Sequence, residues 1–158
     1  MKPLEVDVEI AASPALVWGV VSDVRNAAST VPAIRSIEIL DGPAEGLGMR
    51  WRETRIMFGR EATEVMEIAE WKPPHSYVAT AESHGARYRS RVGVTSLAAG
   101  SRSRLTFTFE SEGATATARI VGALLAPLVR RAVRRALLAD LAAIKAHCEA
   151  VVPISRST

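Results

Sequence analysis

The feature that most restricts the fold is a change of period near residue 113. From about residue 46 to about 112, five strand-like runs follow one another, broken by turn signals at Phe58-Gly59, Pro73-Pro74, Gly85 and Gly100. Beyond Gly113 the apolar residues recur every 3.6 positions to about residue 150, with Pro127 predicted either to start or to kink that helix. An antiparallel meander followed by one long helix is the arrangement these two periods dictate. Upstream, Leu4, Val6, Val8 and Ile10 alternate with Glu5, Asp7 and Glu9, the pattern of a strand with one dry and one wet face. Ser13 and Pro14 then supply an N-cap and a first-turn proline for a short helix carrying Leu16, Val17, Val20 and Val21. Residues 23 to 32 read as a second short helix that stops before proline, and Ile34, Ile37 and Ile39 lead into the turn at Asp41, Gly42 and Pro43.

The fold class that follows is α+β, in the order β-α-α-β-β-β-β-β-β-α, with a curved antiparallel sheet of about seven strands around a long C-terminal helix. At 158 residues with 48% hydrophobic content, one core suffices, so residues 1–152 are expected to form a single domain and 153–158 a frayed tail. On a helical wheel Val129, Val133, Ala136, Leu137, Leu141, Ile144 and Cys148 share one broad face, while Arg131, Arg134, Arg135 and Lys145 take the other. The apolar face is predicted to lie against the concave side of the sheet. A sheet wide enough to wrap a helix cannot close on small side chains, and the space left between them is an expected cavity.

Composition excludes several functions. The 20 basic and 17 acidic residues leave a formal charge of only +3, which implies no nucleic-acid partner. The lone Cys148 rules out an internal disulfide and a cysteine zinc site, and fits a reducing cytoplasm. The N-terminus has no apolar core of a signal peptide, and Arg130, Arg131, Arg134 and Arg135 interrupt the one alanine- and leucine-rich stretch, so no integral membrane contact is expected. There is no phosphate loop, GxSxG elbow, HExxH or CxxC, which leaves metal and organic cofactors without local support.

The stretches VDVEIAASPALVWGVVSDV, VPAIRSIEIL, GLGMRWRETRIMFGREATEVMEI and ALLADLAAIKAHCE, together with the element order, resemble the START-like or helix-grip superfamily. Birch-pollen-allergen-like proteins and the polyketide cyclase/dehydrase-like (SRPBCC) families belong to it. The resemblance runs from about residue 4 to 149. It departs at Val31 before Pro32, where many relatives carry tryptophan, so the mouth of the pocket there is expected to differ. The superfamily holds lipid and hormone binders, aromatic polyketide cyclases and co-chaperones, and the fold does not choose among them.

The residues themselves point to the hairpin centred on Phe58-Gly59. That turn sets Met57 opposite Arg60, Arg55 opposite Ala62, Glu53 opposite Glu64 and Trp51 opposite Met66. Met49, Trp51, Met57, Met66 and Ile68 then form the concave face, and Arg50 meets Glu67 on the wet one. Glu53, Arg55 and Glu64 fall among the apolar group, where an unpaired charge is costly. Arg55 is expected to bridge the two carboxylates, either inside a pocket or in water at the sheet rim. In a pocket the excess carboxylate, Glu53 or Glu64, is a candidate general acid or base.

Tyr88, Ser90, Val92 and Val94, and Leu105, Phe107 and Phe109, are assigned to the inner wall, facing Val133 and Leu137 of the helix. His84 reads as an exposed turn residue. His147 and Cys148 diverge on the helix and form no dyad, and Asp140 lies near the apolar face, as a loop cap or a partner for a sheet arginine. The arginine cluster reads as a solvated helix face.

The expected function is binding or transport of a small hydrophobic ligand, a lipid or an aromatic metabolite, by a monomer or homodimer without cofactor. Contacts are assigned to Trp51, Glu53, Arg55, Met57, Glu64, Met66, Tyr88, Phe107, Phe109, Val133 and Leu137. The alternatives are a cofactor-independent cyclase/dehydratase in the same pocket and a co-chaperone-like interaction module.

Overall fold

The computed structural model of the chain describes residues 2–113 and 115–152. Strand β1 (Leu4–Ile10) leads to helix α1 (Pro14–Val21), a 3-10 turn at Val24–Asn26 and the one-turn helix α2 (Ala27–Thr30). Strands β2 (Ile34–Ile39), β3 (Arg50–Met57), β4 (Arg60–Lys72), β5 (Ser76–Ser83), β6 (Ala86–Leu97) and β7 (Arg102–Gly113) follow, and α3 (Ala116–Val151) ends the fold. All seven strands belong to one antiparallel sheet in the order β1-β7-β6-β5-β4-β3-β2, curved but not closed, since β1 and β2 remain edges.

Local chemistry accounts for these elements. The Ser13 hydroxyl accepts a hydrogen bond from the Leu16 amide at 3.3 Å, satisfying a first-turn donor of α1, and Pro14 occupies a position with no donor to lose. At the β3–β4 turn both central residues have positive φ, 52° at Phe58 and 77° at Gly59, the backbone that lets a two-residue loop follow the twist of its strands. That turn fixes the ladder, and Met57, Arg55, Glu53 and Trp51 face Arg60, Ala62, Glu64 and Met66 as expected. The inner face follows too, with Met49, Trp51 and Ile68 buried and Met57 and Met66 half-buried. On the outer face Arg50 pairs with Glu67, Arg52 with Glu38, Arg87 with Glu82, and Arg89 with Glu70.

Three expectations are corrected. Residues 23 to 32 make a 3-10 turn and a single helical turn instead of one helix. Of the two readings of Pro127 the start is excluded, since it lies inside α3, which begins eleven residues earlier at Ala116. Val129, assigned to the apolar face, is 38% exposed, because the sheet's first strand begins only at Leu4 and Arg130 already reaches the carbonyls of Lys2 and Pro3. The rest of that face is seated: Val133, Leu141, Ile144 and Cys148 are buried, and Ala136 and Leu137 partly so. Lys145, placed on the wet face, folds back to donate to the Glu9 carbonyl at 2.7 Å. The expected tail at 153–158 lies outside the described residues.

Two apolar clusters form. One joins β1, α1, β6, β7 and α3 around Ile10, Val17, Leu105, Leu141 and Cys148. The other gathers Val24, Met49, Trp51, Ile68 and Ala79 under the central strands. Small residues on the concave side, Ala79 and Ser90 among them, leave the two incompletely joined.

Candidate functional site

A cavity of about 180 Å³ occupies the gap between those clusters. Val20, Val21, Val24, Ala27, Thr30, Val31 and Ile34 close it from the α1–β2 side, and Leu137, Asp140 and Ile144 from α3. Its floor is the sheet, through Trp51, Met66, Tyr77, Ala79, Ser90, Val92, Phe107 and Phe109. Phenolic Tyr77 is already engaged, donating to the Val21 carbonyl at 3.2 Å, and burial pushes its pKa far above the usual range.

Besides Arg91, a buried group of charged residues interrupts this wall. Arg55 Nη2 donates to Asp140 Oδ2 at 3.0 Å, and its Nε lies 2.9 Å from Glu53 Oε1. The second contact is an ion pair rather than an aligned hydrogen bond, since Nε has no well-directed acceptor. Glu53 is steadied further by Trp51, whose Nε1 donates to Oε2 at 3.2 Å. All three charged groups are largely buried, with side-chain exposures of 20% for Arg55, 18% for Glu53 and 9% for Asp140.

Burial opposes the Arg55 charge, but Asp140 and Glu53 more than offset it and hold the guanidinium even more firmly protonated than usual. Desolvation raises the Asp140 carboxyl above its ordinary range against the pull of Arg55. One guanidinium thus serves two carboxylates, and it is burial that makes the acid at Asp140 easier to protonate.

Arg55 therefore bridges two carboxylates, but the second is Asp140 and not Glu64. Glu64 sits across the ladder, accepts a hydrogen bond from Ser83, and is raised by its own burial and by Glu53. It does not line the cavity, and neither do Met57, Tyr88 or Val133. Tyr88 stacks on Phe109 at 5.9 Å between ring centroids, and Val133 is buried. Trp51, Glu53, Arg55, Met66, Phe107, Phe109 and Leu137 are the expected contacts that the fold does bring together around the space. His84 is exposed at its turn. Cys148 is fully buried beside an exposed His147, with burial lifting its thiol to about 11, so the two form no reactive pair.

Apart from Val31, the lining from the α1–β2 segment escaped the sequence reading, because short turns carry no periodicity. For Asp140 a signal existed: a carboxylate on the apolar side of a helix needs a cation opposite it.

A curved, unclosed antiparallel sheet gripping a terminal helix around a cavity is the helix-grip architecture. The chain belongs to the family described as polyketide cyclase/dehydrase and lipid transport, which matches residues 1–149. No curated protein is significantly similar to it in sequence.

Among solved structures, the Zhui aromatase/cyclase from Streptomyces sp. R1128 superposes with a TM-score of 0.76 at 21% identity, covering 99% of both chains. A START superfamily protein from Mycobacterium smegmatis gives 0.77 at 15% identity, covering 95% of this chain and 99% of that one. Ara h 8.0201 gives 0.65 at 19% identity, covering 94% and 97%. At these identities the likeness is one of fold. No helix among the described residues is long and apolar enough to cross a membrane.

Proposed function

We propose that the protein binds a small hydrophobic ligand between its sheet and α3, with the Glu53-Arg55-Asp140 group as the polar contact. The observation that carries this reading is the cavity of about 180 Å³, mostly apolar, with a buried ion-paired group on its wall and Arg91 and a few hydroxyls beside it. An apolar cavity of about 150 Å³ is enough to hold benzene. The volume therefore favours an aromatic of one or two rings over a full acyl chain, and the excess carboxylate favours a ligand with a hydroxyl to donate.

Native mass spectrometry of protein purified from its own host, followed by calorimetric titration with two-ring aromatic alcohols, tests the proposal. A co-purified small aromatic, and binding lost in the cavity-filling variant Ala79→Phe, are expected. A chain that emerges empty and takes up none of these alcohols would overturn it.

A second reading is catalytic. Asp140 reaches the cavity with its pKa raised by burial, the direction a carboxylic acid needs to act as a proton donor, and an aromatase/cyclase shares the fold. Turnover of a poly-β-keto substrate that disappears in Asp140→Asn and survives in Glu64→Gln would favour it.

A further inference from the structure

The arginines of this protein fall into two populations. On the sheet most are paired: Arg50, Arg52, Arg55, Arg87, Arg89, Arg102 and Arg104 each face a carboxylate. On α3 they are not. No aspartate or glutamate occurs from residue 113 to 139, a stretch that contains five arginines. Arg119 and Arg130 are spent on backbone carbonyls, the first of Gly113 and the second of Lys2 and Pro3. Asp140, the next acid along, turns inward to Arg55. Arg131, Arg134 and Arg135 are left exposed with no carboxylate within ion-pair distance among the described residues.

The same surface is greasy. Leu128 is 70% exposed, Leu125 49% and Leu138 40%. At about 100° per residue, Leu128, Arg131 and Arg135 lie within about 60° of one another, with Leu125 and Leu138 at the margins. Val133, Leu137 and Ile144 occupy the opposite side, where the sheet is. This outer stripe alternates long cationic side chains with bare leucines and has no counter-charge.

We propose that the outer face of α3 docks on an anionic lipid bilayer, lying in the headgroup layer without crossing it. Leucines would enter the acyl boundary, while arginine stems lie along it with their guanidinium groups among lipid phosphates. Charge alone would suit a nucleic acid, but the stripe has no aromatic side chain to stack on bases, and its leucines would gain nothing there. A bilayer uses both halves of the pattern at once. The face is on the far side of the helix from the cavity, so the proposal stands or falls independently of the ligand.

Sedimentation with vesicles of phosphatidylcholine alone, and of phosphatidylcholine mixed with phosphatidylglycerol, provides the test. Wild-type protein is expected to bind only the mixed vesicles, less tightly as salt rises. Each arginine near such a surface strengthens partition about fivefold, so R131Q/R134Q/R135Q is expected to bind about a hundredfold more weakly. L125S/L128S is expected to lose about tenfold while keeping every charge. All five positions are exposed, and unchanged circular dichroism would certify the fold of both variants. No binding to mixed vesicles overturns the proposal, as does binding indifferent to the leucines. A self-association that vanishes in L125S/L128S, without vesicle binding, overturns it in favour of a second copy of the chain.

Discussion

The two halves of α3 are made of the same kinds of residue in the same periodicity, yet they live in different surroundings. Between residues 115 and 129 every side chain described, apart from Ala126, is exposed. From 130 onward the helix is fastened to the fold by buried Val133, Leu141, Ile144 and Cys148. Polar contacts add to this: Lys145 donates to the Glu9 carbonyl, and Glu149 Oε1 accepts from the Ala11 amide at 2.9 Å. What separates the halves is the partner opposite. A helical stripe of apolar residues becomes core only where a strand lies beneath it, and the second half runs along β1, with Arg130 at Lys2 and Pro3 and Lys145 at Glu9.

That contrast can be broken by substitution. Leu141→Ala is expected to cost about 2–5 kcal/mol in urea unfolding, since Leu141 is 1% exposed and its loss opens a hole in the larger cluster. A loss below about 1 kcal/mol would mean that the second half is not fastened as described. Asp140→Ala comes next, at about 1–3 kcal/mol, because Arg55 keeps Glu53 but is left with one buried charge less to face. Denaturant midpoints equal to wild type would remove the ion pair from the ties that hold α3 down.

The pH dependence sharpens the same point. Because burial raises the folded pKa of Asp140 above its ordinary value, the native state keeps a proton that the unfolded chain has released. Its contribution is complete below the unfolded value and is lost as pH rises through the folded one. Wild-type protein therefore loses stability at this site as pH rises from the ordinary aspartate value through the folded one, and Asp140→Asn does not. The gap in melting temperature between the two should shift in favour of Asn as pH rises, and a gap that stays constant would contradict the assignment. Smallest of all, Leu128→Ala is expected to change stability by no more than about 0.5 kcal/mol, since its side chain touches mainly water. A loss as large as that of Leu141→Ala would erase the distinction between the halves.

The sheet was legible where local rules decide it. A two-residue turn at Phe58-Gly59 fixes which residues face each other for eight positions back, so the placement of Trp51, Glu53 and Arg55 followed from the sequence. The cavity was half legible. Its floor came from strand alternation, but its lid is built by the α1–β2 segment, whose 3-10 turn and single helical turn are too short to carry a period.

The ion pair was misread for a related reason. Glu64 is the neighbour of Glu53 across a tight hairpin, visible in the sequence, whereas Asp140 lies 85 positions from Arg55 and meets it only once the helix crosses the sheet. The same limit explains Val129: periodicity reports which side a residue takes, not whether anything waits there.

The strand order carries one more consequence. The first strand hydrogen-bonds to the last, Leu4 to Phe109 and Ile10 to Ser103, and the final helix rests on both. A ribosome must therefore have released most of the polypeptide before its opening residues can find their place, and the early hairpins wait with one greasy side uncovered. Assembly dominated by such distant pairings is slow compared with that of helical bundles, and in this protein the closing act falls to α3.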